Sequence, residues 1–126
     1  SADRIMETGL EQGIAHFNAR RFFECHDVLE DVWLEEPGHR KHFLQAIIHF
    51  AVAFYHDGRG NRMGALRQLR KGIAKLAPYL PSYEEVDTSR LFDEGLRWLA
   101  AVEQETHLPE YPTIHLVPDL EELGVE

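Results

Sequence analysis

HRKHFLQAIIHFAVAFYHD, residues 39–57, is the stretch on which the fold turns. At ~100° per residue, Phe43, Ile47, Phe50 and Phe54 fall on one side of a helix. Leu44, Ile48, Ala51 and Tyr55 lie next to them, and only Gln45, His49 and His56 form a polar stripe. A helix that is apolar nearly all round must be covered on nearly every side, so it belongs at the centre of a helical protein. It is not a membrane span. Its longest apolar stretch, Ala46 to Tyr55, covers only 10 residues and is interrupted by His49, against the ~20 that a bilayer requires.

The punctuation around this stretch supplies the neighbours. Pro37-Gly38 stops a preceding helix at about 21–35, and a short break at Asn18–Arg20 separates that from a first helix at about 3–18. Met6, Leu10, Gly13, Ile14 and Phe17 share one face of the first helix. Downstream, Gly58 and Gly60 end the central helix, and Asn61 is placed to cap a fourth, about 62–77. That helix buries Ala65, Leu66, Leu69, Ile73 and Leu76 and turns Arg67, Arg70, Lys71 and Lys75 outward. Pro78 and Pro81 stop it. A fifth helix, about 88–106, points Leu91, Phe92, Leu96, Trp98, Leu99 and Val102 inward. The tail from Leu108 is Pro-rich and extended over Pro112 to Pro118, with a last turn expected at Asp119–Leu123. The expected fold is all-α, a single-domain bundle of about five helices over residues 1–126 with a Pro-rich C-terminal tail.

Composition narrows the function classes. The chain of 126 residues carries 13 Lys+Arg against 22 Asp+Glu, a formal charge of −9, and one cysteine. Cys25 has no intramolecular partner, which excludes a disulfide scaffold. SADRIMETGL lacks the apolar run of a signal peptide. The expectation is a soluble cytoplasmic protein without a membrane partner. No Asp or Glu falls between Gly58 and Tyr83, where Arg59, Arg62, Arg67, Arg70, Lys71 and Lys75 do, so the rest of the chain holds all 22 acids against 13 − 6 = 7 bases. An acidic body argues against general nucleic-acid binding. The 3 Lys against 10 Arg, with the acid excess, are compatible with a salt-adapted host.

The second helix holds the candidate chemistry. Glu24, Asp27, Asp31 and Glu35 make its solvent arc, while Phe23, Cys25, Val28, Leu29, Val32, Trp33 and Leu34 make its apolar arc. His26 and Glu30 fall inside the apolar arc. A carboxylate in apolar surroundings needs a proton, a partner or a metal, and i, i+4 spacing brings His26 to Glu30. If this helix and the central one form an antiparallel hairpin, the stripe of Gln45, His49 and His56 converges on the pair. His26, Glu30, His49 and His56 would then make a three-His, one-carboxylate set suited to Zn²⁺ or a similar divalent metal. The structural alternative is a His–Glu hydrogen bond that fixes helix register. Arg40 is a competing partner for Glu30. Cys25 reads as an inert small hydrophobe. There is no P-loop, strand-associated GxGxxG, HExxH or GxSxG motif to support a Walker-type NTPase, a Rossmann oxidoreductase, a zincin or a serine hydrolase.

FNARRFFECHDVLEDVW, followed by FLQAIIHFAVAFYHDGRGNRMGALRQLRKGIAKLAPYLP, resembles the small prokaryotic family called domain of unknown function 309. The resemblance runs from about Gly13 to Pro118 and centres on His26, Glu30 and Trp33, with the Leu-Gln helix, Tyr55-His56 and Gly60-Asn61 following in order. It implies an all-helical fold and a suggested metal-binding role without an established activity. One departure is His49, where the family pattern leads one to expect Gln, which leaves His26, Glu30 and His56 as the firmer set.

Two readings of function therefore stand side by side. In the first, a divalent-metal or polar active site is built on His26 and Glu30. As an enzyme it would favour metal-assisted hydrolysis, with Glu30 or a neighbour as the base and a small molecule as substrate. In the second, the chain is a non-catalytic interaction or scaffold module for a protein partner, and the His–Glu cluster is a hydrogen-bond network. A homo-oligomer is compatible with either. A third, anion or nucleic-acid binding through Arg59–Lys75, has less support.

Overall fold

Short turns reverse the chain between successive helices, so each helix lies against the next. The computed structural model describes residues 9–118. It contains α1 (Gly9–Asn18), α2 (Phe22–Glu35), α3 (Arg40–Gly58), α4 (Arg62–Leu76) and α5 (Thr88–Glu103), with a 3₁₀ turn at Ala77–Tyr79 after α4. These are the five expected helices, each within a few residues of its expected ends. The start expected for the first helix, residues 3–8, and the turn at 119–123 lie outside the described residues.

α3 is the centre. Phe43, Leu44, Ala46, Ile47, Phe50, Ala51, Ala53 and Phe54 are buried on it, a consequence of its nearly continuous apolar surface. α2 and α3 form an antiparallel hairpin: Phe22 meets Phe54 at 5.6 Å and Phe23 meets Tyr55 at 5.5 Å at one end. At the other end Lys41 Nζ sits 4.4 Å over the Trp33 ring. α1 comes close to α2 because Gly9 and Gly13 lack side chains. A Cβ at Gly9 would stand 2.1 Å from Val32 Cγ2, and one at Gly13 would stand 2.5 Å from Leu29 Cδ2.

The opposite side of α3 is closed by the same device. The Phe50 ring lies between Gly72 of α4 and Gly95 of α5, where added Cβ atoms would come within 3.3 Å and 2.7 Å of it. Seating α5 on Gly95 turns the following side chain out. Leu96, expected inside, is exposed.

The helix ends follow local chemistry. The Asn61 side chain accepts from Gly64 N at 2.9 Å, as expected of a cap, and Asp87 does the same for Arg90 N at 3.0 Å. α1 ends with Arg20 at φ +67°. The Arg21 amide there donates to His16 O at 2.9 Å and the Arg20 amide to Phe17 O at 3.0 Å, the pairing that follows a left-handed residue at a helix end.

The tail from Leu108 is extended, as its prolines suggested, and it is built into the fold. Among the described residues it forms no strand, only a bridge between Val86 and Leu116. Tyr111 stacks on Trp98 at 4.9 Å and meets Phe22 at 5.3 Å and Phe54 at 5.2 Å. Asn18 clasps the tail by accepting from Ile114 N at 2.6 Å and donating to Ile114 O at 2.9 Å. Residues 108–117 thus act as a strap across the bundle.

Overpacking a core position costs ~1–3 kcal/mol, partly offset by the ~1 kcal/mol that Gly→Ala contributes in a helix. Gly95→Ala is therefore expected to destabilise the protein by up to ~2 kcal/mol, lowering Tm by roughly 5 °C. Gly72→Ala, with more room, should cost less. Thermal unfolding of the two variants checks the order; equal or reversed effects would rule out Phe50 as the tighter contact of Gly95.

Candidate functional site

α2 sets the geometry of the candidate residues. Its buried side is Phe22, Cys25 and Leu29, with Val32 and Trp33 half-buried. Phe23 and Leu34, counted above with the apolar arc, are 50% and 62% exposed. That corrects the placement of the residues between them. The Glu30 side chain is 49% exposed and that of His26 is 28% exposed. Glu30 is a surface carboxylate beside exposed apolar side chains, and its charge stays in water.

The i, i+4 pair does form, with His26 Nε2 at 2.9 Å from Glu30 Oε2. The other ring nitrogen, Nδ1, lies 3.2 Å from Asp27 Oδ1. Both nitrogens thus face carboxylates, an arrangement that only the doubly protonated ring satisfies in full. The pair lies within one helix and therefore does not fix how α2 packs on its neighbours; such exposed pairs contribute ~0.3–0.5 kcal/mol. Arg40 does not reach Glu30. It bonds Glu36 at 2.9 Å and Glu84 at 2.5 Å, tying the start of α3 to the loop before α5.

His49 and His56 are engaged with α4 and its turn. His49 Nδ1 meets Gln68 Oε1 at 2.7 Å, so this nitrogen carries the hydrogen and donates. Its Nε2 is buried without a partner. Burial holds the His49 ring below the ordinary histidine range, against the Gln68 bond, with the Lys75 and Lys71 charges adding to the depression. His56 Nδ1 lies 3.3 Å from the Asn61 side-chain nitrogen and accepts from it. The polar stripe of α3 faces α4 because the hairpin of α2 already covers the other flank with Phe22 and Phe23. Among the described residues, no three His, Cys, Asp or Glu side chains form a group that could hold a metal ion. At His26 and Glu30 the chain offers two donors, where Zn²⁺ takes three or four from a protein.

Cys25 is fully buried, and burial pushes its thiol up to about 12, the state of an unreactive sulfur. The outward face of α4 is solvated, and Arg70 pairs with Glu103 at 3.1 Å.

Three features escaped the sequence reading. The first is the outer face of α2 as a unit: exposed Phe23 and Leu34 flank five exposed carboxylates, Glu24, Asp27, Glu30, Asp31 and Glu35, with no Lys or Arg on the helix. Beside Phe23, an open groove of about 390 Å³ runs between α2 and the end of α3, lined by Tyr55 and rimmed by Arg21 and Arg59. The second is Tyr111, whose hydroxyl donates to Asp57 Oδ2 at 2.7 Å, while His107 Nε2 meets the same oxygen at 2.8 Å. Burial and then the Asp57 carboxylate hold the Tyr111 proton well above the usual tyrosine range. The third is a groove beside the strap, lined by arginines. The one signal in the sequence for the first feature was two large apolar residues 11 apart on an acid-rich helix.

A histidine whose folded pKa is depressed takes up its proton more readily when unfolded. Stability from His49 is thus fully present above the unfolded value of ~6.5 and is lost as pH falls below it. His49→Gln, which keeps an amide against Gln68, should flatten the acid limb of Tm between about pH 7 and pH 5. Parallel Tm–pH curves for the two proteins would show that His49 is not the group responsible.

Comparison with known proteins agrees with the family resemblance. The chain is 37% identical over 84 residues to an uncharacterized protein of Bacillus subtilis (strain 168), YpuF. That match covers 64% of this chain and 48% of the relative, so the chain spans about half the length of that protein. The family model for Domain of unknown function (DUF309) matches residues 10–68, which takes in α1, α2, α3 and the first half of α4. The segment that carries His26, Glu30 and Trp33 is thus similar to the DUF309 family.

Proposed function

We propose that the chain acts as a protein-interaction module whose docking surface is the outer face of α2, with the His26–Glu30 pair at its middle. The observation that carries this reading is the exposure of Phe23 and Leu34 on either side of that pair. Exposed aromatic and aliphatic side chains on one helix face supply the apolar contact of an interface. The carboxylates between and beside them set which partners fit. A basic amphipathic helix is the complementary surface, its apolar residues meeting Phe23 and Leu34 and its Lys or Arg facing Glu24, Asp27, Glu30 and Asp31. The groove beside Phe23 accommodates one larger side chain.

A synthetic amphipathic helix of Leu and Lys is the probe. Leu34→Asp and Phe23→Asp each add a negative charge, so simple charge attraction would tighten binding. Docking on the stripe would instead weaken it about tenfold, ~1.4 kcal/mol. Leu96→Asp adds the same charge on α5 and should not weaken binding. Fluorescence anisotropy decides: Leu34→Asp binding as tightly as the parent, or Leu96→Asp weakening it equally, would sink the proposal.

The divalent-metal reading rests on the 2.9 Å approach of His26 Nε2 to Glu30 Oε2. Two donors on adjacent turns start such a site, and its remaining ligands would be water or groups of a docked partner. Elemental analysis of untagged protein, with Tm measured in added Zn²⁺, tests it. A Zn²⁺-dependent rise in Tm that His26→Ala abolishes supports the metal; the same response in both proteins removes His26 from the reading.

A further inference from the structure

We propose that the groove between α5 and the C-terminal strap binds a small molecule bearing phosphate or carboxylate groups. The groove is open, has a volume of about 400 Å³, and is lined by Arg20, Arg90, Arg97, Thr113 and His115, among others. That volume falls in the ~300–1,000 Å³ range of small-ligand sites.

Its charge runs against that of the chain. In a protein of net −9, three guanidinium groups from distant parts of the sequence meet on one groove. Arg90 and Arg97 are two turns apart on α5 and so share a face, while Arg20 enters from the turn between α1 and α2. Two carboxylates also line the groove. Glu94 is committed to Arg97 at 2.7 Å, and Glu110 is exposed. Three cations against two anions leave a local excess of +1, and Arg90 has no carboxylate partner among the described residues. The strap adds polar groups: Thr113 Oγ1 and His115 Nε2 lie 2.8 Å apart, and when Nε2 donates, the Thr113 hydroxyl keeps its hydrogen for a ligand.

Arg20 supplies an independent pointer. Its φ of +67° is at the helix-end position that favours Gly, so a side chain there is carried against backbone preference. The side chain reaches the groove, where Nη1 donates to Pro112 O at 3.3 Å. A long, weak bond leaves most of the guanidinium fork available. Planar forks match phosphate and carboxylate oxygens two at a time, which fits this ligand class. Glu94 and Glu110 lie within the groove itself, which disfavours a long polyanion.

Pyrophosphate and citrate are the probes, titrated calorimetrically into the full chain at constant ionic strength. Saturable one-site binding is expected for at least one, and the one preferred distinguishes a phosphate from a carboxylate ligand. Each lost charge-assisted contact should weaken binding about tenfold or more, so Arg90→Gln and Arg97→Gln should both do so. Arg67→Gln, on the outward face of α4, should not. Arg20→Gly should weaken binding while Tm holds or rises, since Gly relieves the backbone. Circular dichroism confirms that the exposed-site variants fold. Binding of neither probe, affinity unchanged by Arg90→Gln and Arg97→Gln, or an equal loss with Arg67→Gln would overturn the proposal.

Discussion

The Phe50 ring is clamped between two helices that have no side chains where it lies. Gly72 of α4 and Gly95 of α5 leave a slot one ring wide, and much else follows from that fit. It brings both helices against α3, so an apolar helix is covered on the side that α2 leaves open. It sets the rotation of α5, which puts Trp98 inside, Leu96 outside, and Arg90 and Arg97 along the edge toward the strap. Gly9 and Gly13 do the same work between α1 and α2. Close approach is obtained by removing side chains at the contact, because a packed core has no spare volume to absorb them.

With the core filled in this way, functional chemistry is left to the outside. None of the titratable groups singled out is fully buried except the inert thiol of Cys25. α2 displays His26, Glu30 and Trp33 on a surface edge, with Glu30 half-exposed, His26 less so and Trp33 half-buried beneath Lys41. A motif so placed can be read by another molecule as a shape and a charge pattern. The acid-rich face of α2 and the arginine-lined groove beside α5 carry opposite local charge, and the open groove beside Phe23 shares Arg20 and Tyr111 with the latter.

How much of this the sequence made legible depends on the range of the interactions involved. Helix existence was local information: period, Pro37-Gly38, Gly60 and the Asn61 cap were enough for five helices. Burial at the edge of a helix was not. Phe23 and Leu34 are apolar, so a helical wheel puts Glu30 among core residues, whereas α3 is too narrow to cover both flanks of α2 and leaves those two outside. Leu96 fails for the same reason, since Gly95, not the largest apolar side chain nearby, determines which side of α5 faces in. The partners of Arg40 and His49 depended on which neighbour each side chain meets, a choice between α2 and α4 that spacing along one helix does not contain. Tyr111 and Arg20 were invisible because their meaning lies in contacts across the chain, with Asp57 54 positions from Tyr111 and Pro112 92 positions from Arg20.

The strap joins the two ends of the described chain. Asn18, the last residue of α1, holds Ile114 across 96 positions, whereas the helical hairpins are made of neighbours in sequence. Local hairpins form early, and closing a long loop comes at a higher entropic cost. Strap docking is therefore the natural last step of folding and the first contact to open. Because the strap is also a wall of the arginine groove, the groove exists only in the closed molecule. Anything that occupies it would, by mass action, hold the two ends of the fold together, so that ligand occupancy and closure of the bundle become a single equilibrium.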